Sequence, residues 1–600
     1  MKKLLVTISL VFLFFVFGYG EEFIKHNIEV VKLIPEHSYI EVIDTISFPG
    51  KYKNKRMHFL LNKNLKILDE SNMKIEKGKL KSEFFGINTS EFKIDDRVGV
   101  KHYSFFLKNK SFTIKYKGKI LPEFKKSEEY QRGFSESFGV ISKKGVYLAG
   151  ATFWVPWFND ELVTFRINYN LANGWDAVSQ GKYIESNGKR AWDCVYPMDE
   201  VYFIAAKFYK FKKRYDNVDV LAYLRSNDKN LSTKYLETTG QYLKMYDKLI
   251  APYPYSKFAL IENFWETGYG MPSFTLLGPK VIRFPFILHS SYPHELLHNW
   301  WGNSVFVDYE KGNWCEGITV YMADHLIKEQ QRLGYIYRRD TLKAYTDHVN
   351  KKNEFALKDF RARYNASSSA IGYGKSMMMF HMLRVMFGDE LFKKSMKDFY
   401  LNNKFKKVSF NEIRKSFEKT TDKKLNWFFS QWVNLKGAPQ LFLEDVKLIE
   451  KKDKYIVDFK IKQKGNFIYK LYIPLFIYFK NKTTPDIKFV NLNKDEEGFR
   501  FEFQLEPLRI SVDENFDVFR RLDSIEVPAT LSNLFGEDEI IIILPSKVKQ
   551  NIKSMYNDLI NKLKRMRKQN IIVKYDYEIK NLNENKSYWI FSNKNKLIKN

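Results

Sequence analysis

Short runs that alternate apolar and polar residues fill the first third of the chain. "YIEVIDTISF", "SFTIKYKGKI" and "LVTFRINYNL" repeat every second position and are parted by Gly, Asn and Lys turns. That period predicts half-buried strands, hence a mostly β region. The pattern then changes. In "TKYLETTGQYLKMYDKLI", Tyr235, Tyr242, Met245 and Leu249 recur at helical spacing, and "PYPYSKFALIEN" reads as a turn followed by a strand. Helical patterns dominate from there to about residue 429, including "MMMFHMLRVMF", which is apolar on nearly every face and so predicts a buried helix. "GAPQLFLEDVKL", "YIVDFKIKQ", "LYIPLFIYF" and "FRFEFQL" return to strand period. The tail reads strand, helix, strand: "DEIIIILP", then an amphipathic stripe of Val548, Ile552, Tyr556, Leu559 and Leu563, then "NIIVKYDY" and "SYWIFSN". A small α/β module is the expectation.

These changes of period give an α+β multidomain chain. Its boundaries fall at 1–20 for a signal peptide, 21–209 for an N-terminal β domain, 210–437 for a helical domain with strands, 438–525 for a second, sandwich-like β domain, and 526–600 for the terminal module. The leader carries Lys2 and Lys3, then an apolar run from Leu4 to Phe17, with Gly18 and Gly20 at the small-residue positions of a cleavage site. The run is shorter than the ~20 residues of a spanning helix, so export to the periplasm or the medium is the expectation. Only Cys194 and Cys315 are present, too few for a disulfide scaffold; a pair or two buried thiols are equally good readings. The formal charge of +29 favours anionic envelope surfaces or acidic substrates, while scattered lysines can equally serve solvation alone. No nucleic-acid motif accompanies the charge. The oligomeric state is not written in the sequence.

Candidate chemistry concentrates in "YPHELLHNWWGN". On a helix, His294 and His298 project from one face a turn apart and can share a metal, with Glu295 beside them to reach a water. Ser290 and Ser291 are N-cap candidates, Pro293 suits a first turn, and Gly302-Asn303 supplies a stop. A catalytic zinc needs a third ligand and an open fourth position. Glu316 in "GNWCEGITVYMADHL" offers the third, although Asn313 three residues earlier also makes a capping box, in which Glu316 would accept from backbone instead. Asp308 and Glu310 compete from a loop.

"HELLHNWWGN" followed by "NWCEG" resembles the aminopeptidase N and leukotriene hydrolase family of gluzincin metallopeptidases, which carry H-E-x-x-H, W-x-G-N and a glutamate on the next helix. "GYGKSMMMFHMLRVMFGDELF" is similar to the segment with that family's catalytic tyrosine, and "LNWFFSQWVNLKGAPQL" to the end of its catalytic domain. The likeness spans roughly residues 210–441. It implies a saddle-like N-terminal β-sheet domain and a thermolysin-like zincin domain. It also implies one zinc per chain on His294, His298 and Glu316, Glu295 as general base and Tyr373 as oxyanion donor. Peptide substrates would lie against Gly270 and Met271. Two departures stand out. Seventeen residues separate His298 from Glu316, one fewer than the family's usual count. Where the family has G-x-M-E-N, whose glutamate holds the substrate's α-amine, Met271 is followed by Pro272 and Ser273. Aminopeptidase-like action is the reading the likeness implies. An endopeptidase of the same fold is the alternative, with Glu262 and Glu266 as replacement anchors or as solvated charges. A binding protein with a vestigial zinc site is the reading from another class. His289 and His381 read as structural.

Overall fold

The computed structural model describes residues 23–69, 75–77, 99–126, 135–158, 161–526, 539–566, 570–582 and 588–598. The signal-peptide reading falls on residues outside these. Among the described residues, no helix is long and apolar enough to cross a membrane.

The chain divides into two compact units, one holding residues up to Phe306 with Lys397–Val408, the other Val307–Met396 with the residues from Ser409 on. In the first, the alternating segments form a seven-stranded sheet. Its centre is the strand Ile24–Ile34, parallel to Val163–Tyr169 and antiparallel to Tyr39–Ser47. Alternation holds as far as Val30, where the register shifts: Ile24, Ile28 and Val30 are buried while Lys25, Asn27 and Glu29 face solvent. The N-terminal β region also holds a four-stranded sheet of Gly139–Ser142, Gly145–Leu148, Phe203–Lys207 and Trp175–Val178, and a three-stranded one of Arg56–Asn62, Val100–Phe106 and Glu76–Lys77.

A five-stranded sheet follows, in the order Tyr209–Tyr215, Val218–Leu224, Lys257–Glu262, Phe274–Leu277, Gly268–Met271. The short strand Gly268–Met271 lies at its edge, paired only to Phe274–Leu277. The helix Lys229–Leu249 starts on Asp228, whose carboxylate accepts from the Leu231 N–H. Its buried stripe is Tyr235, Leu236, Thr239, Leu243 and Tyr246, so Tyr242, Met245 and Leu249, expected to be core, are only half-buried. The buried face runs through Leu243 and Tyr246 instead, and the Tyr246 ring lies 5.6 Å from that of Trp300.

The second unit is helical up to Asn434, then β. Three of its helices contain a π-helical turn: Tyr321–His325, Ala370–Lys375 and Ser430–Asn434. One inserted residue per turn re-aims the side chains around it, and such bulges gather at functional positions. The helix Ser376–Phe387 is buried from Ser376 to His381 and at Leu383, as its apolar pattern predicts, whereas Met382, Val385, Met386 and Phe387 are half-buried. Two three-stranded antiparallel sheets follow between Gln440 and Val512, and the Phe479 and Phe503 rings meet across them at 5.0 Å. The terminal module is a three-stranded parallel sheet with Glu539–Leu544 in its middle and the helix Gln550–Met566 over a core of Ile540, Ile542 and Leu544. Here Ile560 is the buried residue and Leu559, predicted for the stripe, is 42% exposed. Cys194 and Cys315 are both buried and are not joined in a disulfide.

Candidate active site

The helix Ser291–Leu297 is short and strictly divided. Tyr292, Pro293, Leu296 and Leu297 are buried, whereas His294, Glu295 and the C-cap residue His298 stay partly open. Four-residue spacing sets the two imidazoles one above the other, with their Nε2 atoms 3.2 Å apart. Two nitrogens bound tetrahedrally at zinc distances of ~2.0–2.1 Å would sit roughly 3.3 Å apart, so the pair has the right opening for that ion. His298 Nδ1 lies 3.1 Å from the Trp301 carbonyl. Donation to that oxygen puts the proton on Nδ1 and leaves the Nε2 lone pair facing His294, the usual arrangement behind a metal-ligating histidine. The expected serine cap does not form: Ser290 makes no side-chain cap bond, because its hydroxyl donates to the Phe286 carbonyl instead.

Glu316 stands in the first turn of the helix Cys315–Val320. The capping-box alternative would need its carboxylate on the Asn313 N–H. That N–H donates to the Phe360 carbonyl at 2.8 Å, while Asn313 Oδ1 accepts from the Cys315 N–H and Nδ2 donates to the Arg361 carbonyl. The loop after Leu357 thus takes the Asn313 N–H, so the reciprocal capping bond from Glu316 does not form there. One ligand atom each from His294, His298 and Glu316 lies within 4.8 Å of the others, the one such group of metal-ligating side chains among the described residues. Two imidazoles and a carboxylate are a donor set suited to zinc. Asp308 is paired with Lys311 at 2.7 Å and, like Glu310, stands outside this group.

Tyr373 lies in the π-helical turn Ala370–Lys375, where Ala370, Ile371, Gly372, Gly374 and Lys375 are all buried and Tyr373 alone is partly open. The Phe360 ring meets it edge-on at 6.0 Å, and the Arg363 guanidinium lies 5.2 Å above its centroid. A guanidinium beside the phenol favours negative charge near it.

Gly270 and Met271 close the edge strand. A Cβ on Gly270 would come within 2.6 Å of Glu295 Oε2 and 2.9 Å of the Glu295 carbonyl, so glycine lets the strand lie directly against the helix. The two carboxylates considered as amine anchors are engaged elsewhere. Glu262 is 3% exposed, pairs with Arg283 at 2.6 Å and accepts from the Arg225 N–H, so it is neither an anchor nor a solvated charge. Glu266 accepts from the Lys280 N–H at 3.1 Å and from the Val281 N–H at 3.4 Å, bracing the turn there.

Sequence reasoning missed what holds the Met271–Ser273 corner. Ser273 sits at φ +68. Its N–H donates to Asn299 Oδ1 at 2.7 Å, and Lys257 Nζ donates to both its hydroxyl (2.7 Å) and its carbonyl (3.1 Å). Asn299 directly follows His298, so this clamp ties the edge strand to the imidazole helix. Lys257 is 3% exposed, lies about 5 Å from the Trp192 and Phe274 rings, and is pushed down to about 7 by burial. The available signal was a lysine opening the otherwise apolar run "FALI". His289 meets only the Tyr242 hydroxyl in this region. His381 is buried between the Tyr321 hydroxyl (3.2 Å) and the Asp517 carboxylate (2.9 Å).

Paired imidazoles on one helix, an adjacent carboxylate and a further carboxylate on the following helix are the arrangement that the gluzincin resemblance implies. Residues 289–432 match the Peptidase family M1 domain. The chain is 24% identical to a glutamyl aminopeptidase of Sus scrofa over 28% of this chain and 18% of that one. It is 25% identical to a leukotriene A-4 hydrolase of Xenopus laevis over 34% and 36%, and 20% identical to an alanine/arginine aminopeptidase of Saccharomyces cerevisiae over 74% and 53%. The chain therefore spans between about a fifth and about half of the length of these relatives. Its fold is similar to that of Legionella pneumophila aminopeptidase A, solved with aspartic acid, at a TM-score of 0.58 and 15% identity over 91% of this chain and 64% of that one.

Proposed function

We propose that the chain is a zinc metallopeptidase that hydrolyses peptide bonds in the manner of aminopeptidases, exported to the cell envelope or beyond. The reading rests on one observation, the grouping of His294, His298 and Glu316 with Glu295 on the same helix as the imidazoles. A single zinc held by those three side chains would supply Lewis acidity and a water acidic enough to attack near neutral pH. Glu295 takes the proton of the attacking water and returns it to the departing amine, which needs a carboxylate that ligates nothing itself. Tyr373 donates to the oxygen that gains charge as the carbonyl carbon becomes tetrahedral, and Arg363 above its ring favours that charge. The substrate's main chain lies along the edge strand Gly268–Met271, whose outer side has no partner strand among the described residues. An intact Glu295 argues against a purely structural zinc, which needs ligands but no base.

A specific observation favours a second reading, cleavage within chains. Pro272 replaces the family's amine-holding glutamate, and Glu262 and Glu266 are both engaged in local bonds. A desolvated ammonium with no partner is costly, so selection of free N-termini needs another carboxylate. A panel of peptides with free and acetylated N-termini, assayed with and without a chelator, tests both readings. Chelator-sensitive cleavage of free peptides alone supports aminopeptidase action; equal cleavage of both sets transfers the assignment to endopeptidase. Cleavage that survives complete metal removal overturns the metallopeptidase proposal.

A further inference from the structure

A polar cleft opens where the end of the helix Gly334–His348 meets the start of the second β region. It has two adjoining lobes of about 430 and 400 Å³, and both are lined by Lys351, Glu354 and Asn466. Four cationic side chains reach its walls: Lys351, Lys436, Lys464 and Arg521. Its two carboxylates are already engaged. Asp347 is in an ion pair with Lys343, and Glu354 accepts from the Tyr345 hydroxyl at 2.7 Å and lies 3.6 Å from Arg521. No carboxylate among the described residues pairs with Lys351, Lys436 or Lys464, and the Lys464 ammonium rests 4.7 Å over the Phe442 ring. Arg521 is fixed from behind by the Tyr345 ring, 4.9 Å from its guanidinium. The cleft thus presents uncompensated positive charge on a partly rigid frame.

A second feature of the wall points to an occupant. The Tyr469 side chain is fully buried, yet its hydroxyl has no hydrogen-bond partner among the described residues. It faces the wall at Gly437, where an added Cβ would lie 2.8 Å from the hydroxyl and 3.1 Å from Asn466 Nδ2. Gly437 has φ +102. Both its conformation and the missing side chain keep these two groups within one atom's reach of the cleft. A buried hydroxyl without a partner is costly, and a ligand oxygen or a water it carries can offset that cost.

We propose that this cleft is a binding site for a small anion carrying two or more negative charges, such as a phosphate ester or a di- or tricarboxylate. The anion sits against Lys351, Lys464 and Arg521, with the Asn466 amide and the Tyr469 hydroxyl at its inner end. Monovalent anions neutralise too little of the charge to compete. The site stands apart from the metal-binding group in residues and in chemistry, so it holds whether or not the peptidase reading does. It also abuts the backbone that carries Tyr373. Lys375, which closes that π-helical turn, donates from Nζ to the carbonyl of Leu435 in the cleft wall at 2.8 Å.

Isothermal titration of the full chain with inorganic phosphate, citrate and chloride at matched ionic strength tests the proposal. One saturable site for phosphate or citrate is expected, with chloride weaker by roughly tenfold or more; phosphate alone assigns phosphate esters, and citrate alone assigns carboxylates. Lys351→Gln with Lys464→Gln should weaken binding by roughly tenfold while leaving the melting temperature and any hydrolytic activity unchanged. Tyr469→Phe, which keeps every charge, should weaken it several-fold. The proposal is overturned if neither multivalent anion saturates the protein at millimolar concentration, if chloride binds as well, or if the double lysine variant titrates like the parent.

Discussion

Replacing Gly317 by alanine perturbs the site without touching any group that reacts. Gly317 follows Glu316, and a Cβ added there would lie 2.0 Å from Ser376 Oγ, 2.3 Å from Ser376 Cβ and 2.9 Å from the Ser376 carbonyl carbon. Ser376 begins the helix that continues the turn bearing Tyr373. Rotation about χ1 can move the hydroxyl away, but the Cβ and carbonyl carbon move only with the backbone. Restoring the Cβ contact from 2.3 Å to an ordinary 3.4 Å requires the two helices to part by about 1 Å. Overpacking of this kind costs ~1–3 kcal/mol, and the better helix propensity of alanine returns up to ~1 kcal/mol. The fold therefore loses at most ~3 kcal/mol, while a displacement of ~1 Å between Glu316 and Tyr373 lowers turnover by up to ~10²-fold. The assay is kcat/KM on a chelator-sensitive peptide, with zinc content and Tm measured on the same preparation. Ser376→Gly in the same chain removes the Oγ and Cβ clashes, and its hydroxyl, buried without a partner among the described residues, leaves no broken hydrogen bond. The double variant should regain most of the lost activity. Wild-type turnover and metal content in Gly317→Ala, or a double variant no better than the single one, would refute the reasoning.

Glu295→Gln should retain zinc by elemental analysis and lose at least ~10²-fold in kcat, since an amide takes no proton. Tyr373→Phe should lower kcat by about 10²–10³-fold with little change in KM, the mark of a contact made in the transition state; a rise in KM alone would contradict its role. His325, fully buried against Arg338, is held down to about 2 mainly by burial. It stays neutral in the folded chain while the unfolded chain protonates it near its ordinary value, so stability is lost as pH falls below about 6.5, by up to ~1.4 kcal/mol per pH unit from this group. His325→Gln should flatten the fall of Tm between pH 6.5 and pH 4, and an unchanged slope would remove His325 as its source.

Much of this architecture was legible because periods of 2 and 3.6 are strong where one face is buried. The strand Tyr39–Ser47 alternates along its whole length, and the helix Ser376–Phe387 is buried over its first six residues. Errors arose where two neighbouring apolar residues compete for one buried position, as with Leu559 and Ile560, since periodicity cannot say which packs better. Within the site, the spacing of His294 and His298 is local and was readable. The choice between capping and ligation for Glu316 was not, because it depends on the Phe360 carbonyl more than forty residues downstream. The Lys257–Ser273–Asn299 clamp was hidden for the same reason: its members come from a strand, a corner and a helix end that only the fold assembles.

The bond from Asn313 to Phe360 has a practical corollary. The loop around residues 357–361 contributes nothing to the donor set, yet it takes the Asn313 N–H that a capping Glu316 would need. Gly312 presses the same loop from the other side; at φ +101, a Cβ there would lie 2.7 Å from the Leu357 carbonyl. Damage at either place would surface as poor retention of the ion in a chain that still folds, and a survey restricted to the coordinating side chains would overlook it.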